Sequence, residues 1–112
     1  MKKILVTGAA WFIGSRICEL FAGSNTKVVA IDNFDPYYDV SLKRYRWNKL
    51  QPIDHVQCQE LDITDVPALE ALFDANSFDA VVNMAAMAVV LFSIENPAKY
   101  FLVNAQGFVG LL

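Results

Sequence analysis

Lys3-Ile4-Leu5-Val6-Thr7-Gly8-Ala9-Ala10-Trp11-Phe12-Ile13-Gly14 is the stretch that decides the fold. A short apolar run, Ile4-Leu5-Val6, leads into a turn bracketed by Gly8 and Gly14, and the turn opens a helix. A second apolar run, Val28-Val29-Ala30-Ile31, ends on Asp32 about 20 residues beyond the turn, the distance of a dinucleotide-binding unit. A glycine at the strand end lets the backbone turn sharply, a glycine at the packing point lets helix and strand approach, and the helix N-terminal amides suit a pyrophosphate. The Asp32 carboxylate would accept hydrogen bonds from an adenosine ribose and repel a 2′-phosphate, which favours NAD over NADP.

The same residues resemble the extended short-chain dehydrogenase/reductase family, in its NAD-dependent epimerase/dehydratase group acting on nucleotide sugars. Members of that group carry Thr-Gly-x-x-Gly-x-x-Gly ending in Phe-Ile-Gly, and Thr7, Gly8, Phe12, Ile13 and Gly14 stand in register with it. The family's middle glycine is Trp11 here. Asp32-Asn33-Phe34, the paired Tyr37-Tyr38 and Asp39-Val40-Ser41-Leu42-Lys43 resemble the corresponding loop of the UDP-glucuronate 4-epimerases. The resemblance implies that Asp62-Ile63 lies against the adenine ring and that small Ala85 and Ala86 let the backbone approach the cofactor. It further implies that Asn104, with Gly107, is the family's Asn-x-x-Gly. The implied cofactor site is therefore Gly8, Trp11, Phe12, Ile13, Gly14, Asp32, Asn33, Asp62, Ile63, Ala85, Ala86 and Asn104, with NAD as the cofactor. A UDP-sugar would bind only with a substrate domain that these 112 residues do not include.

Length and composition bound the rest. One domain fits in 112 residues. Hydrophobic residues make up 55% and mean hydropathy is +0.34, high enough that some apolar surface should stay uncovered. Net charge is −3 and no long basic run occurs, which argues against nucleic-acid and anionic-membrane partners. Lys43, Arg44, Arg46 and Lys49 read as a solvated helix face. Cys18 and Cys58 lack a metal or disulfide spacing and read as core residues, and His55 has no partner at ligand spacing, so no metal site is expected. The apolar run after Met1-Lys2-Lys3 is too short for a signal-peptide core, and a cytoplasmic location is the expectation.

Along the chain, the first helix is expected from Phe12 to Ala22, packing Ile13, Ile17, Leu20 and Phe21 onto the sheet and ending at Gly23. Ser41 would cap a second helix from Leu42 to Leu50. Val56–Gln59 reads as a weak third strand. Thr64 or Asp65 would cap the third helix, with Pro67 in its first turn and Val66, Leu69, Leu72 and Phe73 on one face. Phe78 to Ala86 holds the fourth strand and its exit turn. Asn96-Pro97 starts a last helix, Ala98 to Leu112, apolar nearly all round and hence interior or interfacial. Met87, Val89 and Leu91 replace the Gln, Gly and Arg usual in the group. The expected fold is a truncated Rossmann-like parallel sheet in the order 3-2-1-4, with right-handed crossovers and helices on both faces.

The family's Tyr-x-x-x-Lys acid/base pair has one formal match, Tyr45 and Lys49, placed on the second helix and far from any nicotinamide. Two readings follow. One is the NAD-binding N-terminal portion of a nucleotide-sugar epimerase, without turnover of its own and with no catalytic residue. The other is a non-catalytic scaffold with a blocked pocket. Self-association to a homo-oligomer is expected through the fourth strand or final helix. The Trp11 ring is expected to fold inward against Met87, Val89 or Leu91 as an apolar plug, so that NAD binds poorly.

Overall fold

The computed structural model describes residues 1–36, 39–87 and 90–112. Tyr37, Tyr38, Ala88 and Val89 lie outside them, so the loop that carries the paired tyrosines and the Val89 arm of the expected plug are not described. Four strands form one parallel sheet in the order β3-β2-β1-β4, as the sequence predicts: β1 is Lys2–Thr7, β2 Thr26–Asp32, β3 Val56–Glu60 and β4 Ala80–Asn83.

The alternation of a strand sorts the core into two layers. Ile4 and Val6 of β1 join Val28 and Ala30 of β2 on the face covered by α1 (Phe12–Gly23) and α2 (Val40–Leu50), where Cys18, Phe34, Trp47 and Leu50 fill the layer. Leu5, Val29 and Ile31 point the other way, onto Leu61, Ile63, Leu69 and Leu72, the last two from α3 (Val66–Ala75). Both central strands are thus apolar on both sides, as parallel strands between helix layers must be.

Several boundaries differ from the sequence reading, each for a local reason. The α2 helix starts at Val40 because Asp39, not Ser41, is its cap: the Asp39 carboxylate accepts from the Ser41 and Leu42 amides. These bonds, the Ser41 hydroxyl foremost, hold the Asp39 carboxyl below the usual range. Asp65, one of the two alternatives, caps α3, with Pro67 in the first turn. A helix to which the sequence reading assigns no element, α4 (Val90–Glu95), precedes the Asn96-Pro97 start. The final helix begins at Pro97 under an Asn96 cap and runs to Leu111, but from Leu102 to Gly107 its backbone widens to π-helical pairing.

The largest correction concerns α1. Its most deeply buried side is Gly14, Ser15, Cys18 and Ala22, all small; of the expected stripe Ile17 packs half-buried against the core, whereas Ile13, Leu20 and Phe21 face outward. A helix entered from a tight turn lies so close to the strands that its inner face has no room for larger side chains. At Gly14, an added Cβ would sit 2.2 Å from the Gly8 carbonyl oxygen.

Candidate functional site

The four strands end on one side of the sheet, and described residues of the loops that leave them line a crevice there. Gly8 follows β1 with φ +65, a conformation that side chains resist, and an added Cβ would meet the Met84 carbonyl at 2.6 Å. Glycine is required here because the turn after β1 lies directly against the exit of β4. Thr7 ties those two exits together. Its buried hydroxyl donates to the Asn83 side chain and accepts from the Ala85 amide at 3.1 Å, while its carbonyl accepts from the Met84 amide. The threonine of the motif is therefore a positioning residue that the predicted set omits.

Asp32, at the end of β2, is buried and well supplied with donors. The Ala10 amide donates to Oδ2 at 3.0 Å, the Phe34 amide donates to Oδ1 at 2.8 Å, and the Lys43 ammonium stands 3.7 Å from Oδ1. Phe34 reaches this bond with φ 54, a left-handed conformation held by the carboxylate on one side and by ring packing against Trp47 on the other.

Lys43 corrects the expectation of a solvated basic face. It is 2% exposed and sits in line with Trp47 and Leu50, the buried stripe of α2. The spacing 43, 47, 50 was the available signal: the lysine continues an apolar stripe one turn back. The other cations of that cluster lean on rings or acids, Arg44 against Phe34 and Glu60, Arg46 toward Phe12, and Lys49 over Tyr45.

Beyond β3, the Asn33 amide donates to Asp62 Oδ2 at 3.2 Å, and Asp62 Oδ1 accepts from the Thr64 amide and hydroxyl. Burial by itself would raise the Asp62 carboxyl. The donors outweigh it and hold the group below the usual carboxylate range. Asp62 is thus a turn residue and a crevice residue at once. On the rim, the Lys99 ammonium meets the buried Asp35 carboxylate at 2.6 Å, joining the loop after β2 to the final helix.

Of the predicted site residues, Gly8, Trp11, Asp32, Asn33, Asp62, Ile63, Ala85 and Ala86 line the crevice together. Phe12 and Ile13 do not. They face a neighbouring apolar hollow with Trp11, Met84 and Ala86. Gly14 lies under the turn as a packing residue. Asn104 is turned to the protein itself: its side-chain oxygen accepts from the Met87 amide at 2.7 Å and its amide donates to the Met87 carbonyl at 2.8 Å. This peptide-like pair fixes the loop after β4 against the final helix, where Met87 packs on Val103 and Tyr100.

Trp11 stands at the N-terminus of α1 and supplies no side-chain cap, so the first-turn amides of that helix keep their donors. Its ring takes a partner other than those expected: the Lys43 ammonium lies 5.0 Å from the ring centre. Met87 shares the crevice with Trp11, and Leu91 lies in α4. Between indole and carboxylate the crevice holds a cavity of about 30 Å³, room for about two waters. One end of the crevice offers a carboxylate of the kind that accepts from a ribose, and the indole at the other end stands at a helix N-terminus that has no side-chain cap.

Comparison with known proteins agrees with this geometry. The family model of GDP-mannose 4,6 dehydratase matches residues 5–112. UDP-glucuronate 4-epimerase of Thermodesulfobacterium geofontis is 40% identical over 112 residues, all of this chain and 35% of that protein. UDP-glucuronate 4-epimerase 4 of Arabidopsis thaliana is 42% identical over 97% of this chain and 25% of its own length. Among solved structures, the UDP-glucuronic acid 4-epimerase of Bacillus cereus in complex with UDP-glucuronic acid and NAD superposes with a TM-score of 0.86 at 32% identity. That match covers 97% of this chain and 34% of that one. The chain therefore spans about a third, or less, of the relatives it matches.

Proposed function

This chain belongs to the GDP-mannose 4,6-dehydratase family of NAD-dependent nucleotide-sugar enzymes, and from that premise we propose that it is the NAD-binding, N-terminal portion of an epimerase of the UDP-glucuronate 4-epimerase kind. The observation that carries the reading is the convergence of the Gly8 turn, buried Asp32, Asp62 and the Ala85-Ala86 pair on one crevice at the strand ends.

Asp32 would hold the adenosine ribose. The first-turn amides of α1 would hold the pyrophosphate, and Asn33, Asp62 and Ile63 would flank the adenine. Bound NAD supplies reversible hydride transfer at the sugar. This chain's residues bind and orient it, and among the described residues no Tyr-x-x-x-Lys pair meets the crevice. Tyr45 and Lys49, the one pair at the right spacing, lie on α2 away from the crevice, with the ammonium 4.8 Å over the ring. The chain alone is expected to leave UDP-glucuronate unchanged in the presence of NAD.

Trp11 limits the affinity. Titration calorimetry should find weak or unmeasurable NAD binding by the natural chain and a gain of at least about tenfold for Trp11→Gly, since removing the indole frees the approach to the amides. Tight binding by the natural chain, or no gain on substitution, overturns this reading of the turn.

A second reading, self-association, rests on a separate surface. Strand β4 is an edge of the sheet with Val81 partly exposed, and the final helix presents Phe101, Phe108 and Val109 to solvent. Sedimentation at tens of micromolar, the range of weak interfaces, should show a dimer that Val109→Glu with Phe101→Glu dissolves. A monomer throughout counts against it.

A further inference from the structure

Most of the stripe that gives α1 its helical periodicity is left uncovered, Ile17 alone being packed on the core. Phe12, Ile13 and Leu20 are 73%, 56% and 58% exposed, and Tyr45 across from them on α2 is 58% exposed. With half-buried Ile17 they form the floor of an open groove of about 680 Å³ running between the two helices. The walls carry Arg16, Arg46 and Lys49 against one carboxylate, Glu19. Arg16 pairs with Glu19 at 2.8 Å, Arg46 lies 5.7 Å from the Phe12 ring centre and Lys49 4.8 Å from that of Tyr45. The groove therefore has net positive walls on a chain whose overall charge is −3.

We infer that this groove docks an amphipathic helix of another polypeptide, one with an apolar stripe flanked by carboxylates. A trough between two neighbouring helices accepts a third helix laid along it, with apolar anchors about one turn apart. The basic walls select the sign of the flanks, and they select against a second copy, because a twofold contact through this groove would set the same cations against each other. The site is distinct from the crevice and shares no residue with its lining.

The probe is an 18-residue helical peptide with leucines on one face and glutamates beside them, compared by fluorescence anisotropy with the same peptide carrying lysines. The glutamate peptide should bind at least about tenfold more tightly, with a preference that shrinks as salt rises. Arg46→Glu with Lys49→Glu should reverse the preference, and Leu20→Asp should weaken both peptides; these side chains are exposed or half-buried, and circular dichroism checks the fold of each variant. Equal binding of the two peptides by the natural chain, or binding of neither at millimolar concentration, overturns the proposal whatever the variants do. So does a preference unchanged by the charge reversal. A concentration-dependent dimer abolished by Leu20→Asp would assign the stripe to a second copy instead and likewise overturn it.

Discussion

The two ends of the crevice are built on opposite terms. At the Asp32 end a charge is taken out of water and answered in detail, by two backbone amides and an ammonium that is itself buried. At the Trp11 end the volume is taken by a ring: an indole stands beside a helix N-terminus it does not cap, and its face is met by the same Lys43. One end depends on matched partners and fails if one is removed, whereas the other depends on filled volume and loses little when trimmed. Lys43 is the residue common to both.

The sharpest way to break the contrast is Asp32→Asn. It removes the carboxylate charge 3.7 Å from the buried Lys43 ammonium, and unfolding in urea should show a loss of about 3–5 kcal/mol. Lys43→Met should cost clearly less, because Asp32 keeps both amide donors. Equal costs would mean that the ammonium, not the amides, holds the carboxylate.

Trp11→Gly is the matching test at the other end. The ring is half-buried and its contact with Lys43 is a cation–π one, so a loss of about 1–2 kcal/mol is expected, smaller than at Asp32. A larger loss would show that the indole belongs to the core.

Asp62→Asn gives the smallest effect, about 0.5–1.5 kcal/mol near neutrality, the net worth of the hydrogen bonds from Thr64 and Asn33. Because folding lowers the Asp62 carboxyl, its contribution is present above the unfolded carboxylate range and is lost as pH falls through the folded value. Natural and substituted chains should therefore converge in stability in acid. A gap that persists at low pH would trace the effect to shape and not to charge.

The order of the sheet is legible because its signals are local: apolar runs of strand length, a glycine turn, and an acid at the end of the second run. Of the crevice residues, Gly8 and Asp32 follow from the same signals, whereas Asp62, Ile63, Ala85 and Ala86 come from the resemblance alone. Side-chain direction is another matter. The pattern Ile13, Ile17, Leu20, Phe21 marks a helix correctly but its buried face only at Ile17, since how near a helix lies to a sheet is set by Gly8 and Gly14 and not by its own apolar stripe. Lys43 is missed for the converse reason, a charged residue in a buried stripe whose partner is distant in sequence. Asn104 reads as a ligand contact from the resemblance, yet it spends both halves of its amide on the backbone of Met87, a pairing with no sequence signature. The cysteines follow their apolar settings: burial pushes the Cys18 thiol up to about 12, with Cys58 adding to it, and burial pushes Cys58 up to about 11, so both resist alkylation at neutral pH.

The widened stretch of the final helix bears on the crevice twice, through Val103 in its lining and through Gly107 behind it. Gly107, within that stretch, packs so closely on Ile63 that an added Cβ would come within 2.8 Å of its terminal methyl. Ile63 in turn is part of the crevice wall. The hydrogen at position 107 thus works as a spacer, and the bore of the crevice is adjustable from the far side of that wall. A side chain as small as alanine there would press on Ile63 beside a space that holds about two waters, so the calibre of the site is written partly in a helix that touches it directly only through Val103.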